Sequence, residues 1–181
     1  QESIQLGDEN KKIDLAAAES EDVDLEAPEF ISIKSGQDSL RFFAPAAKYN
    51  LRKYIITCIN VPFINVADAR LYPDSGKVVI YRNAVMDTLK KAVLTANVVT
   101  KYHTVRNVKA NITGRFTYLA EGDYTYFDEN EKPYNIRLAK IYPDTAGQTV
   151  SEGSIAEKDN FKFNDYFSFA GKVDLKATNH F

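Results

Sequence analysis

The strongest constraint on this chain is a run of strict alternation from Val108 to Tyr126. The even positions carry Val108, Ala110, Ile112, Gly114, Phe116, Tyr118, Ala120, Gly122, Tyr124 and Tyr126, while the odd positions are mostly Lys, Asn, Thr, Arg, Glu and Asp. A period of two marks a strand with one buried and one wet face. At ~3.3 Å per residue an unbroken strand of this length would reach roughly 60 Å, far beyond ordinary strands. The run must therefore bend or break. Gly114 and Gly122, both in the apolar phase, are where corners or bulges belong.

A second signal occurs twice. Ala69-Arg70-Leu71-Tyr72-Pro73-Asp74-Ser75-Gly76 and Ala139-Lys140-Ile141-Tyr142-Pro143-Asp144-Thr145-Ala146-Gly147 share Ala, a base, an aliphatic residue, Tyr-Pro-Asp, a hydroxyl and a nearby glycine. Proline presets φ for a turn, aspartate bonds its own backbone, and glycine accepts the left-handed conformation that rejoins a strand. Each copy precedes a strand-like run, Lys77–Tyr81 and Gln148–Ile155. The pattern predicts a β-hairpin turn used twice, hence two diverged units at about 54–113 and 114–181.

The remaining chain fits the same material. Tyr54–Val61 is a near-continuous apolar run, Pro62 marks a bend, and Phe63–Leu71 alternates again. Phe30–Ile33 reads as a short strand, and Leu40–Pro45 as an anchor on the core edge. Asp128–Pro133 is a polar hairpin loop leading into a strand at Tyr134–Tyr142. At Ala84–Ala92 a helix competes, because Val85, Leu89, Ala92, Val93 and Ala96 recur at helical spacing behind a capping Asn83. A short helix or turn is expected at 84–91. Residues 1–29 are acidic and poor in aromatics, which predicts a solvated tail or linker, with a short helix at Ile13–Glu19 as the competing reading.

The expected fold is therefore mainly β: an antiparallel β-roll or sandwich over residues 30–181, built from two hairpin-containing units with at most one short helix. Phe161–Phe181 alternates on Phe167, Phe169, Gly171, Val173, Leu175 and Ala177. It reads as a strand whose next neighbour is missing. The chain starts without Met and stops straight after this strand, so a fragment of a longer protein is expected. The open sheet edge would then take a protein partner or the remainder of its own longer chain.

Chemistry is sparse. A formal net charge of −2 gives no global field toward nucleic acid, and no nucleic-acid partner is expected. Bases interleaved with Tyr49 and Tyr54 at Lys48–Lys53 read as a solvated edge. No apolar run approaches the ~18 residues of a spanning helix, so no transmembrane segment is expected. The single cysteine, Cys58, lies in an apolar run and reads as a small buried hydrophobe. His103 and His180 form no metal-binding pair, and no catalytic motif is present. Acids at Asp123, Asp128, Glu129 and Glu131 lack the glycine and spacing of a calcium loop. No catalytic residue, metal or cofactor is expected; distant acids such as Asp123 and Glu152 are the one enzymatic alternative.

Two patterns concern ligands and modification. Phe116, Tyr118, Tyr124 and Tyr126, with rings at 161–169, are candidate glycan- or lipid-binding residues, although core packing is the simpler account of such rings. Asn111-Ile112-Thr113 matches an N-glycosylation acceptor. Asp38-Ser39-Leu40, Asp87-Thr88-Leu89 and Asp144-Thr145-Ala146 each resemble the O-glycosylation site of exported proteins of Bacteroidota.

Several segments also carry a resemblance. Leu40–Pro45, Val66–Pro73, Thr100–Thr104 and Gly122–Tyr126 resemble parts of large, uncharacterised β-rich envelope-associated proteins of Bacteroidota. The likeness covers roughly residues 38–181, with no catalytic motif to carry over. Separately, Tyr72–Ile80 followed by Ala92–Ala96 resembles one rung of the OstA-like β-jellyroll of lipopolysaccharide transport, where Arg82-Asn83-Ala84 stands in place of the usual Gly-Asn-Val step. The repeated turns, the lack of a catalytic constellation and the strand-like end predict a non-enzymatic structural or interaction domain, and the first resemblance implies its setting, an exported envelope protein, periplasmic or secreted. The alternative is a glycan- or lipid-binding module, including an OstA-like lipid-transport roll.

Overall fold

The computed structural model describes residues 3–7 and 27–178. Among them, the chain runs through β1 (Ser3–Gly7), β2 (Glu29–Ile31), β3 (Arg41–Phe43), β4 (Ala46–Asn50), β5 (Ile55–Ile59), β6 (Ile64–Val66), β7 (Ala69–Tyr72) and β8 (Val78–Tyr81). It continues through β9 (Val85–Met86), β10 (Leu89–Ala96), β11 (His103–Gly114), β12 (Thr117–Phe127), β13 (Pro133–Pro143), β14 (Thr149–Ile155) and β15 (Gly171–Lys176). The only helical pieces among the described residues are single 3-10 turns at Asp74–Gly76, Arg82–Ala84 and Glu157–Asp159. The fold is mainly β and antiparallel, as expected.

Three sheets result. A large one has the order β15-β14-β13-β12-β11-β10-β7-β6, a smaller one β1-β4-β5-β8-β9, and β2 and β3 form a two-stranded ribbon. One apolar core joins them, with Leu71, Leu94, Val108 and Ile141 from the large sheet meeting Ala47, Cys58 and Val78 from the small one. The arrangement is a sandwich whose larger layer curls. Its curl is visible in Asp68, at the β6–β7 turn on one margin, which accepts hydrogen bonds from Thr149 N at 2.9 Å and Thr149 Oγ1 at 2.5 Å at the start of β14. Tyr118 OH lies 2.6 Å from the same Thr149 hydroxyl, so a buried polar chain ties the two margins together.

The long alternation breaks where its length demands. It becomes the β11–β12 hairpin, turning at Arg115 and Phe116, with Gly114 at the turn and Gly122 beside a register shift between β12 and β13. A bulge in β11 explains why the even phase begins only at Val108. His103 and Val105 are buried, then Asn107 takes a left-handed φ of 50° and the buried phase moves to Val108, Ala110 and Ile112.

The two Tyr-Pro-Asp sequences do different work. The second is a hairpin: Pro143 pairs with Thr149, Asp144 Oδ1 accepts from Ala146 N and Gln148 N, and Gly147 sits at φ 77°. The first is a crossing instead, from β7 in the large sheet to β8 in the small one. There Ser75 and Gly76 take φ of 52° and 63°, and a Cβ on Gly76 would lie 3.0 Å from the Asn60 Cα. That close approach, sealed by Val61 N donating to Gly76 O at 2.8 Å, turns the chain away from a hairpin.

Three further expectations need correction. The short helix at 84–91 is absent: Val85–Met86 is β9 and Leu89–Ala96 is β10. A bulge at Lys91, with φ 55°, separates buried Leu89 from buried Ala92 by three residues and so imitates helical spacing. The acidic N-terminal stretch contributes a strand, since Ser3–Gly7 pairs antiparallel with Ala46–Asn50. The competing helix at Ile13–Glu19 lies outside the described residues. Finally, the segment expected as a strand at Phe161–Phe181 is not one strand over its described residues, 161–178. Only Gly171–Lys176 is, while residues 161–170 form a loop pinched by a bridge between Lys162 and Ser168.

Candidate functional site

The main concavity lies on the small sheet, and the register explains it. Tyr49 pairs with Ile56, Ile56 with Ile80, and Ile80 with Met86, so four strands present these side chains in one row. Two residues along the same face runs the parallel row Ala47, Cys58 and Val78. That second row is fully buried against the large sheet. The first row is only half-buried, because the β2–β3 ribbon covers it in place of the large sheet. The result is a groove of about 690 Å³ between the ribbon and the row.

Phe30 and Phe42, stacked at 5.7 Å between centroids, and buried Leu40 form the ribbon's side of the groove. The polar groups inside are mostly paired with each other. Gln37 Nε2 donates to Ala84 O at 2.8 Å, and the Ser32 hydroxyl donates to Gln37 Oε1. This pair anchors the ribbon to the Arg82–Ala84 turn, in which Asn83 and Ala84 take φ of 63° and 54°. At the mouth, Arg82 stacks its guanidinium 4.3 Å over the Tyr54 ring, and Lys34 is exposed. Among the described residues, the lining contains these two cations and no Asp, Glu or His. Cys58, in the row behind it, has its thiol pushed up to about 12 by burial and is a core side chain.

The ring residues expected to bind ligand do not converge. Tyr118 and Tyr124 are 4% and 9% exposed, the first on Thr149 and the second against His103, 3.1 Å from its Nδ1. Burial raises both phenols above their ordinary range. Tyr126, two residues further along the same strand, packs with Phe161 and Phe163, and Phe116 stands 52% exposed at the β11–β12 turn beside Arg115. Three of the four serve packing, and the fourth stands apart from them. His103 is itself a core residue, 2% exposed.

The distant acids are likewise accounted for. Asp123 and Glu121 both reach Arg137, at 2.8 and 3.2 Å, on the outer face of the large sheet, and Asp123 also accepts from Asn107. The Arg137 and Asn107 hydrogen bonds hold the Asp123 carboxyl below its ordinary range. Glu152 accepts from Tyr142 at 2.9 Å and faces Lys140 at 3.5 Å, which lowers it too. These are cross-strand charge pairs on exposed strands. Asn111, the acceptor candidate, lies on the outer face of β11, where Thr88 Oγ1 donates to its Oδ1 at 2.5 Å.

The groove escaped the sequence because its floor obeys the same alternation as the core. Tyr49 follows Ala47 and Ile56 precedes Cys58 in phase, and nothing in the pattern separates a covered row from an open one. No family model, curated protein or solved structure matches the chain.

Proposed function

We propose that this chain is a non-enzymatic structural and interaction domain of an exported envelope protein, periplasmic or secreted, that engages a protein partner by strand addition. The observation that carries this reading is β15. It closes the large sheet at one end and pairs only with β14 among the described residues, from Val150–Lys176 to Ile155–Gly171. Just past the strand, Ala177 N donates to Thr149 O at 2.9 Å, and the Thr100 hydroxyl donates to the Ala177 carbonyl at 3.3 Å. The outer side of Gly171–Lys176 presents backbone N–H and C=O groups to a further strand. Lys172, Asp174 and Lys176 on the wet face guard that edge partly and favour a partner strand of alternating charge.

The envelope setting rests on the likeness of Leu40–Pro45, Val66–Pro73 and Gly122–Tyr126 to β-rich envelope proteins. The non-enzymatic reading is supported by the pairing of Asp123 and Glu152 with cations and by a groove whose described lining residues include no acid. Turnover in a hydrolase or transferase screen, abolished by one substitution, would overturn it. For the edge, amide exchange across 171–176 is compared between dilute and concentrated protein. Slower exchange on concentration is the expected result. Equal, strong protection at both concentrations would show the edge already paired, and the strand-addition reading would fall.

A further inference from the structure

We infer that the groove beneath the β2–β3 ribbon is a binding site for a single-chain anionic amphiphile, a long-chain carboxylate, with its tail along the Ile56–Ile80–Met86 row and its head at Arg82 and Lys34. The inference is independent of strand addition, since the groove lies on the small sheet and β15 on the large one.

Size comes first. A volume of about 690 Å³ falls within the roughly 300–1,000 Å³ of small-molecule sites. Shape follows from the register. The floor is a single row crossing four strands, a track of about 14 Å at roughly 4.8 Å per strand step. One extended chain covers such a track of four side chains.

Chemistry then separates a methylene chain from a peptide. A peptide brings a donor and an acceptor at every residue, and each must be satisfied when buried. The floor of Tyr49, Ile56, Ile80 and Met86 offers one phenol hydroxyl for a whole backbone, and Gln37 and Ser32 are already engaged with Ala84 and with each other. A methylene chain requires none and gains from leaving water. The head group is set by charge. Arg82 uses the face of its guanidinium on Tyr54, which leaves the in-plane N–H fork for an oxygen pair. Lys34 adds a second cation, and among the described lining residues no acid opposes them. An anionic head at an otherwise apolar slot is the complement of that arrangement.

The test uses the chain as it stands, with dodecanoate as probe, dodecanol as its neutral counterpart, and an apolar strand-forming peptide as the rival occupant. Calorimetry should give one saturable dodecanoate site per chain, with dodecanol about tenfold weaker. The double variant Lys34→Gln, Arg82→Gln should bring dodecanoate down to the level of dodecanol and leave dodecanol unchanged. Both residues are exposed, so a folding defect would not produce that pattern. Ile80→Trp should fill the slot and abolish binding of both; its single indole, in a chain without Trp, reports whether it is buried. No saturable binding, equal binding of acid and alcohol, an unaltered affinity in the double variant, or binding of the peptide alone would each overturn the proposal.

Discussion

The two sheets face the same core with the same alternation, and only one of the faces is finished. On the large sheet, Val108, Ala110, Leu138 and Ile141 are at most 2% exposed, and rings from Tyr118, Tyr124 and Phe161 close the ends. On the small sheet, Ala47, Cys58 and Val78 are equally buried, yet the next row outward meets a two-stranded ribbon and leaves a groove. The contrast shows that burial phase and burial depth are separate properties. Phase is a matter of side-chain alternation along one strand. Depth depends on what lies across the layer, and the covering ribbon, β2 and β3, is a separate element whose placement no strand's alternation records.

The sharpest way to break this contrast is to remove equal side chains from each face. Ile141→Ala, in the closed core, should cost about 3 kcal/mol, within the range for buried aliphatic truncation. Ile56→Ala, on the groove floor, should cost about 1 kcal/mol or less, because the site is already open. Urea unfolding of both variants is the measurement. Equal losses would mean that the groove row packs as tightly as the core.

Gly122→Ala probes the finished face from the backbone side. A Cβ there would sit 2.6 Å from Val105 Cγ1 and 3.0 Å from the Arg106 carbonyl, against strands rather than solvent. A loss of about 2 kcal/mol is expected in thermal or urea unfolding. A neutral substitution would show that the β11–β12 pair relaxes more readily than its register suggests.

The polar tie between the margins of the large sheet should matter less. Thr149→Val removes the hydroxyl that links Asp68 to Tyr118 and keeps the shape. About 1–2 kcal/mol should be lost, since both former partners stay largely shielded from water. The same substitution should speed amide exchange near Asp68 and Thr149 while leaving the small sheet unchanged. Faster exchange throughout the small sheet would deny that the tie belongs to the large sheet's curl.

The smallest effect lies on the outer face. Arg137→Ala breaks contacts to Glu121 and Asp123, all more than a third exposed, so the loss should be below about 1 kcal/mol and shrink in salt. Because Asp123 is held below its ordinary range, its contribution is present above the unfolded carboxylate range and is lost as pH falls through the lowered folded value. The difference between wild type and Arg137→Ala should therefore close as pH drops below about 4. A difference that persists at low pH would assign the effect to packing of the arginine stem.

Much of the fold was legible where local chemistry decides it. The break in the long alternation at Gly114, the loop at Asp128–Pro133 and the second Tyr-Pro-Asp turn follow from glycine, proline and aspartate chemistry with strand periods on either side. The misread places are those where an extra residue enters a strand. The bulge at Lys91 produces helical spacing, and the one at Asn107 shifts phase in mid-strand. The first Tyr-Pro-Asp crossing depends on contact with Asn60, which no local pattern carries. As for the site, the rings at 118–126 satisfied an aromatic criterion but fill the core. The groove uses ordinary aliphatics, and only the register of four strands brings Tyr49, Ile56, Ile80 and Met86 together.

Met86 is the chain's single methionine, so its methyl gives one unambiguous signal at the end of the open row. With the methionine and isoleucine methyls labelled, dodecanoate is titrated into the wild-type chain and the spectra followed. Saturable shifts of Met86, Ile56 and Ile80, with Ile141 and Ile64 unmoved, are the result expected of an open face opposite a closed one. A Met86 signal that stays in place, or shifts spread equally to Ile141, would contradict the account.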